Sequence, residues 1–133
     1  MESVWHEFVE AIAAGEDEQT ELLALLLDSG DQAALLALMN KTGDARWWAI
    51  RGLARVGNKE AIAAVAGALT DPDAMTRAAA AHALGQLAAR HPAESAEYLP
   101  LLGARFADED GFVRQQAVEG MAWAGVAALP VLE

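Results

Sequence analysis

The chain contains no cysteine. That excludes a disulfide framework and any thiolate metal site. Only nine of its 133 residues are Lys or Arg, against twenty Asp or Glu, and no basic run occurs. The formal net charge of −11 repels nucleic acid and anionic lipid, so neither is an expected partner. β-Branched residues are few and alanine is abundant, a balance that favours helix over strand. The apolar runs are short and broken by charge, so none is expected to span a bilayer. Met1 is followed by Glu2, with no basic segment and apolar stretch behind it, and no secretory signal is expected. One soluble, cytoplasmic domain with a sizeable core is the expectation.

The acid excess is uneven. Residues 1–43 hold nine acids and one base, Lys41, whereas residues 44–133 hold eleven acids and eight bases. Charge of this kind serves solubility.

What the sequence does have is an internal repeat, which shows when it is aligned on Arg46, Arg77 and Arg114. Three residues on stand Ala49, Ala80 and Ala117; seven on, Leu53, Leu84 and Met121; ten on, Val56, Leu87 and Ala124. Those offsets share one face of a helix and mark a buried stripe. Six on stand Gly52, Ala83 and Gly120, and eight on Ala54, Gly85 and Ala122. Glycine inside a helix costs about 1 kcal/mol against alanine, so small residues at these offsets point to close helix packing. A second helix repeats as well: Ile62, Val65 and Leu69 precede Asp71 as Leu99, Leu102 and Phe106 precede Asp108.

The pattern resembles HEAT repeats, in particular the short variety named after phycobilisome lyases. Asp73 with Arg77, Ala80, Ala83, Leu84 and Gly85 carries the resemblance, as does Asp110 with Arg114, Ala117 and Met121. Pro100 and Pro130 match a proline often found early in the family's second helix. The likeness covers residues 44–133 well and 18–43 loosely. It implies an all-α, right-handed solenoid of antiparallel helix pairs, with aspartate and arginine bridging successive repeats. Asp44 stands two residues before Arg46, where the later copies have four, so the first copy is expected to lack that bridge.

Along the chain, Ser3 caps a first helix that Gly15 stops. A second helix opens at Glu16-Asp17-Glu18, carries Leu22, Leu23, Leu25, Leu26 and Leu27, and ends near Gly30. Asp31 caps a third, through Leu35, Leu38 and Met39. Residues 1–43 thus form divergent N-terminal capping helices. Three repeats follow over 44–72, 73–109 and 110–133. Their helices are expected at 44–56, 58–70, 73–89, 97–107 and 110–124, with Asn58, Asp73 and Asp110 as caps. The last repeat is incomplete, because Leu129-Pro130 aligns with Leu99-Pro100 and only three residues follow the proline. That uncovered end is a candidate for self-association, or for burial by further repeats.

Candidate sites are few. His6 and Glu10 stand four apart and could share a metal, but a surface pair is the simpler reading. No catalytic, cofactor-binding or metal-binding set is assigned, and no cofactor or enzymatic role is expected. The tryptophans carry more, because Gln86, Gln115, Gln116 and Arg55 mark their offsets as solvent-facing in other copies. A candidate interaction surface therefore comprises Trp47, Trp48, Arg51, Arg55 and Trp123. The alternative packs Trp47 and Trp48 under the N-terminal helices and Trp123 under a following helix. The resemblance also implies a concave face on the second helices, from Lys59, Glu60, Ala63, Ala64, Gly67, Leu101 and Arg105. The favoured function is a protein-interaction scaffold whose partner is another protein. A chromophore-lyase-like accessory or enzyme subunit is the alternative, and would need a pocket of converging polar groups. A nucleic-acid-binding repeat protein, like the HEAT-like alkylated-base glycosylases, would need a basic groove that the sequence lacks.

Overall fold

The computed structural model describes residues 3–132, with side chains through residue 125. Ser3 accepts a hydrogen bond from the His6 amide and starts helix α1 (Val4–Ala14); Gly15 ends it at φ 71°, a left-handed conformation suited to glycine. Helix α2 spans Asp17–Ala24 and is shorter than expected. Leu23 and Leu27, four residues apart, face inward, while Leu22, Leu25 and Leu26 are exposed. The chain turns early because Asp28, not Asp31, caps the next helical turn. Its side chain accepts from the Gly30 amide, and Asp31 accepts in return from the Asp28 amide. This 3₁₀ turn leads into α3 (Gln32–Leu38).

Two clear helix pairs and a long final helix come next. Helix α4 spans Asp44–Val56, α5 Ile62–Gly67, α6 Ala74–Arg90 and α8 Leu99–Ala104, with a short α7 (Pro92–Ser95) between the last two. The helix expected over 58–70 is a short α-helix flanked by 3₁₀ turns at Lys59–Ala61 and Ala68–Thr70. Asn58 caps it through the Glu60 amide, as Asp28 caps the equivalent start one repeat earlier. Helix α9 runs unbroken from Gly111 to Leu132. The expected break before Leu129 is therefore not there. Gly57-Asn58 and His91-Pro92 end the two earlier first helices, and no comparable turn pair lies between Ala124 and Leu129. The side chains of Leu129, Pro130 and Leu132 lie outside the described residues.

This is an all-α solenoid. The predicted stripe forms its core: Ala49, Leu53, Ala80, Leu84, Leu87 and Ala117 are fully buried, joined by Ile62, Val65, Leu69 and Leu102 from the second helices. Helix α6 is central and buried nearly all round, which its alanine run permits. It packs directly against both α4 and α9. At the α6–α9 crossing the backbones touch: a Cβ on Gly85 would come within 2.4 Å of the Gly120 Cα. That contact explains the small residues at offsets six and eight.

The arginines bridge repeats, but not to the expected aspartates. Arg77 Nε and Nη2 donate to the Asp108 carboxylate at 3.0 and 3.1 Å, while Nη1 donates to the Asp71 and Pro72 carbonyls. Arg46 donates in the same way to Asp71, at 2.9 Å, so the first copy has its bridge after all. Asp73 and Asp110 are occupied as helix caps. Asp71 and Asp108, two residues earlier, are left facing the arginines, and each also accepts the amide of its repeat's cap residue. Arg114 donates to the Asp108 carbonyl, at 2.7 Å. With the Arg77 hydrogen bond as the main cause, the Asp108 carboxyl is held down at about 2.

Candidate interaction surface

The outward face of the first helices is built from four offsets around each repeat arginine. Two before it stand Asp44, Met75 and Phe112; one after, Trp47, Ala78 and Gln115; five after, Arg51, His82 and Glu119; nine after, Arg55, Gln86 and Trp123. Successive residues in each series are three or four apart, so they form a second stripe.

Sequence reasoning placed both tryptophans of the pair on one candidate surface, and the fold separates them. Trp48 is only 4% exposed and belongs to the core with Phe8 and Leu23. Trp47 stays half-buried beside it, edge to face, with ring centroids 4.8 Å apart. Helices α1 to α3 supply the cover that takes Trp48 inside. Arg51 lies over Trp47, its Cζ 4.7 Å from the ring centroid, and bonds Glu21 at 3.1 and 3.2 Å. Arg55 donates to the Leu25 and Leu27 carbonyls, closing the end of α2. Trp123 is half exposed on α9.

Grooves run between these helices. One, of about 670 Å³, lies where α2, α4 and α6 begin. Trp47, Trp48 and Met75 give it apolar walls; Asp17, Glu18, Glu21, Asp44 and Asp73 rim it, and no cationic residue lines it. A second groove, of about 280 Å³, joins Trp47 and Met75 to His82 and Phe112. A third lies between His82, Glu119 and Trp123. His82 thus stands at the middle of the face. Burial, and secondarily Arg51, lowers its pKa, against an opposing pull from Glu119.

The second-helix residues lie elsewhere. Lys59, Glu60, Ala63, Ala64, Gly67 and Leu101 are exposed, and none lines these grooves. Arg105 is drawn into the bridge, donating to Asp108 at 2.9 Å. His6 and Glu10 do meet, at 3.0 Å, on the exposed side of α1. Among the described residues no group of three or more His, Asp or Glu is placed to hold a metal, and no helix is long and apolar enough to cross a membrane. Of the further groove residues, Asp44, Met75, His82 and Phe112 lie in the offset series of the first helices and are legible there, whereas Asp17, Glu18 and Glu21 come from α2, outside that series.

Comparison with curated proteins and with solved structures found no match to this chain. A family model does match: that of HEAT repeats, over residues 20–122. The match begins inside α2 and ends inside α9, so it takes in most of the leading pair of short helices as well as the two clear helix pairs. Together with the repeated arginine bridges and the paired-helix order, it shows that the chain belongs to the HEAT-repeat family.

Proposed function

We propose that this chain is a protein-interaction scaffold that docks its partner on the first-helix face. The partner presents a segment carrying basic and apolar side chains. The carrying observation is the groove of about 670 Å³ walled by Trp47, Trp48 and Met75 and rimmed by carboxylates alone. Arg51 supports it, because a guanidinium already rests on Trp47 and pairs with Glu21. An incoming Lys or Arg would meet the same chemistry beside Asp17, Glu18 and Asp44. Aromatic side chains next to charged groups are an enriched composition at interfaces. The candidate concave face on the second helices stands as the weaker surface, since the grooves lie on the other layer.

The test is selection of random peptides on the purified chain, with the bound site mapped by amide shifts. Selected peptides are expected to carry Lys or Arg, to perturb residues 44–51 and 75–82, and to weaken about tenfold on Asp44→Asn with Glu18→Gln. Peptides that map instead to α5 and α8, or that ignore the carboxylates, would overturn this reading.

The finer likeness to phycobilisome-lyase-type repeats supports a second reading, a chromophore-handling accessory. It rests on the repeat residues, and would need a pocket of converging polar groups that holds a chromophore. Visible absorbance of the protein purified from a chromophore-producing host is its test. Self-association through the C-terminal end is a separate proposal, supported by exposed Val118 and Trp123 on α9.

A further inference from the structure

Between the C-terminal halves of α4 and α6 lies a cavity of about 320 Å³ whose charge is opposite to that of the acid-rimmed groove. Arg51, Arg55 and Arg90 line it with His82, and Glu21 is its one carboxylate. Three arginines against one acid stand out in a chain whose net charge is −11.

Each arginine uses only part of its donor set within the fold. Arg51 gives Nη2 to Glu21, Arg55 gives Nη2 to the Leu25 and Leu27 carbonyls, and Arg90 gives Nη2 to the Gly57 carbonyl at 3.2 Å. A guanidinium has five N–H donors in a fixed fork. Arg51 Nε is buried and has no hydrogen-bond partner. Nε is covered by the protein itself, with the guanidinium lying over Trp47 and Trp48, but the side chain as a whole is 38% exposed, so an incoming anion would meet its Nη groups. Arg55 and Arg90 also stand in the last turns of their helices, where a cation complements the helix dipole. That role uses their charge and leaves their remaining N–H groups available. Burial disfavours the charged form of both Arg90 and His82, and Arg51 adds to the effect on His82. An anion among them would favour the charged form of both side chains.

We propose that this pocket binds a phosphate group, with Arg51, Arg55 and Arg90 donating to its oxygens. Three cations less Glu21 leave two positive charges, which match a dianion better than a carboxylate. The planar forks suit phosphate oxygens. The phosphate is either free or carried on a phosphorylated side chain. This proposal does not rest on basic-segment docking, because the ligands are of opposite sign, although Glu21 borders both grooves.

The experiment follows the arginine Nε–H resonances of the whole chain by NMR. Inorganic phosphate, O-phosphoserine and acetate are titrated separately at constant ionic strength. Phosphate should shift the Arg51 signal saturably, and acetate should bind about tenfold more weakly. Arg55→Gln and Arg90→Gln should each weaken phosphate about fivefold or more. Glu21→Gln should strengthen it, because the competing carboxylate is gone; a purely structural role for these residues would not give opposite signs. Phosphoserine binding as tightly as inorganic phosphate assigns the pocket to a phosphorylated side chain, and phosphate alone assigns it to a free ion. Shifts that fail to saturate, that are equal for acetate, or that persist in both arginine variants while circular dichroism shows them folded would overturn the proposal.

Discussion

The two joints between successive clear repeats use the same bond in different surroundings. Where the second repeat meets the third, Arg77 and Asp108 are almost sealed, at 9% and 1% side-chain exposure, and Arg105 joins the pair. Where the first meets the second, Arg46 and Asp71 remain at 24% and 16%. Two glycines bring α6 and α9 into backbone contact, whereas Gly52 of α4 turns the other way and meets the Leu35 side chain of α3. A repeated motif thus reproduces a bond, while its worth depends on what covers it. A buried pair broken on one side leaves a charge without water; an exposed pair does not.

The largest break in that comparison is Gly85→Ala. Its new Cβ would sit 2.4 Å from the Gly120 Cα, and backbone cannot rotate aside. Denaturant melts are expected to show a loss of about 3 kcal/mol or more. Gly52→Ala should cost less than half of that, because the Leu35 methyl it meets at 2.8 Å can move. If both substitutions cost the same, a glycine against backbone is worth no more than a glycine against a movable side chain.

Arg77→Ala comes next, at about 2–3 kcal/mol, since Asp108 keeps Arg105 and the Asp110 amide. Arg46→Ala should cost about 1 kcal/mol. Equal melting temperatures for the two variants would show that burial does not set the worth of the bridge.

Acid sharpens the contrast further. Asp108 is held at about 2 against an ordinary 3.8. Its folded pKa is depressed, so the stabilisation is present above pH about 4 and is lost as pH falls through about 2. His82 acts in the same sense near neutrality: its lowered pKa means that acidification charges a half-buried ring. Asp108→Asn should therefore flatten the stability profile between pH about 4 and 2, and His82→Gln should leave that window unchanged. Stability measured across pH would show whether the two windows separate.

The smallest effect is expected at the outer end. Val118→Gln with Trp123→Gln should change stability by less than about 0.5 kcal/mol, as both are exposed. If α9 self-associates, the double variant should also shift the sedimenting species towards monomer. A large loss of stability would mean that these side chains are packed.

Much of the fold was legible in the residues. Offsets of three, seven and ten from the arginines identified Ala49, Leu53, Ala80, Leu84 and Ala117 as core, and all are fully buried. The caps at Ser3, Asn58, Asp73 and Asp110 also hold. The length of α2 was misread because Leu25 and Leu26 continue a leucine run by composition, while Asp28 ends it through side-chain geometry. The candidate surface was half legible. Trp47, Arg51 and Arg55 do line grooves, but apart from Asp44 their acidic and cationic neighbours come from α2 and α6, distant in the chain.

By itself, then, the sequence determined the helices, their repeat register and the stripe each buries. Those arise from the 3.6-residue period and from caps that act within four residues. Only the tertiary structure decided which aspartate each arginine meets, since Asp73 and Asp110 are spent as caps and Asp71 and Asp108 are not. It also decided that Trp48 is covered and Trp47 only half so, and that three helix starts gather their carboxylates around one groove. The reason is physical: helical period fixes which side chains share a face, but only the neighbouring helix fixes whether that face is in protein or in water.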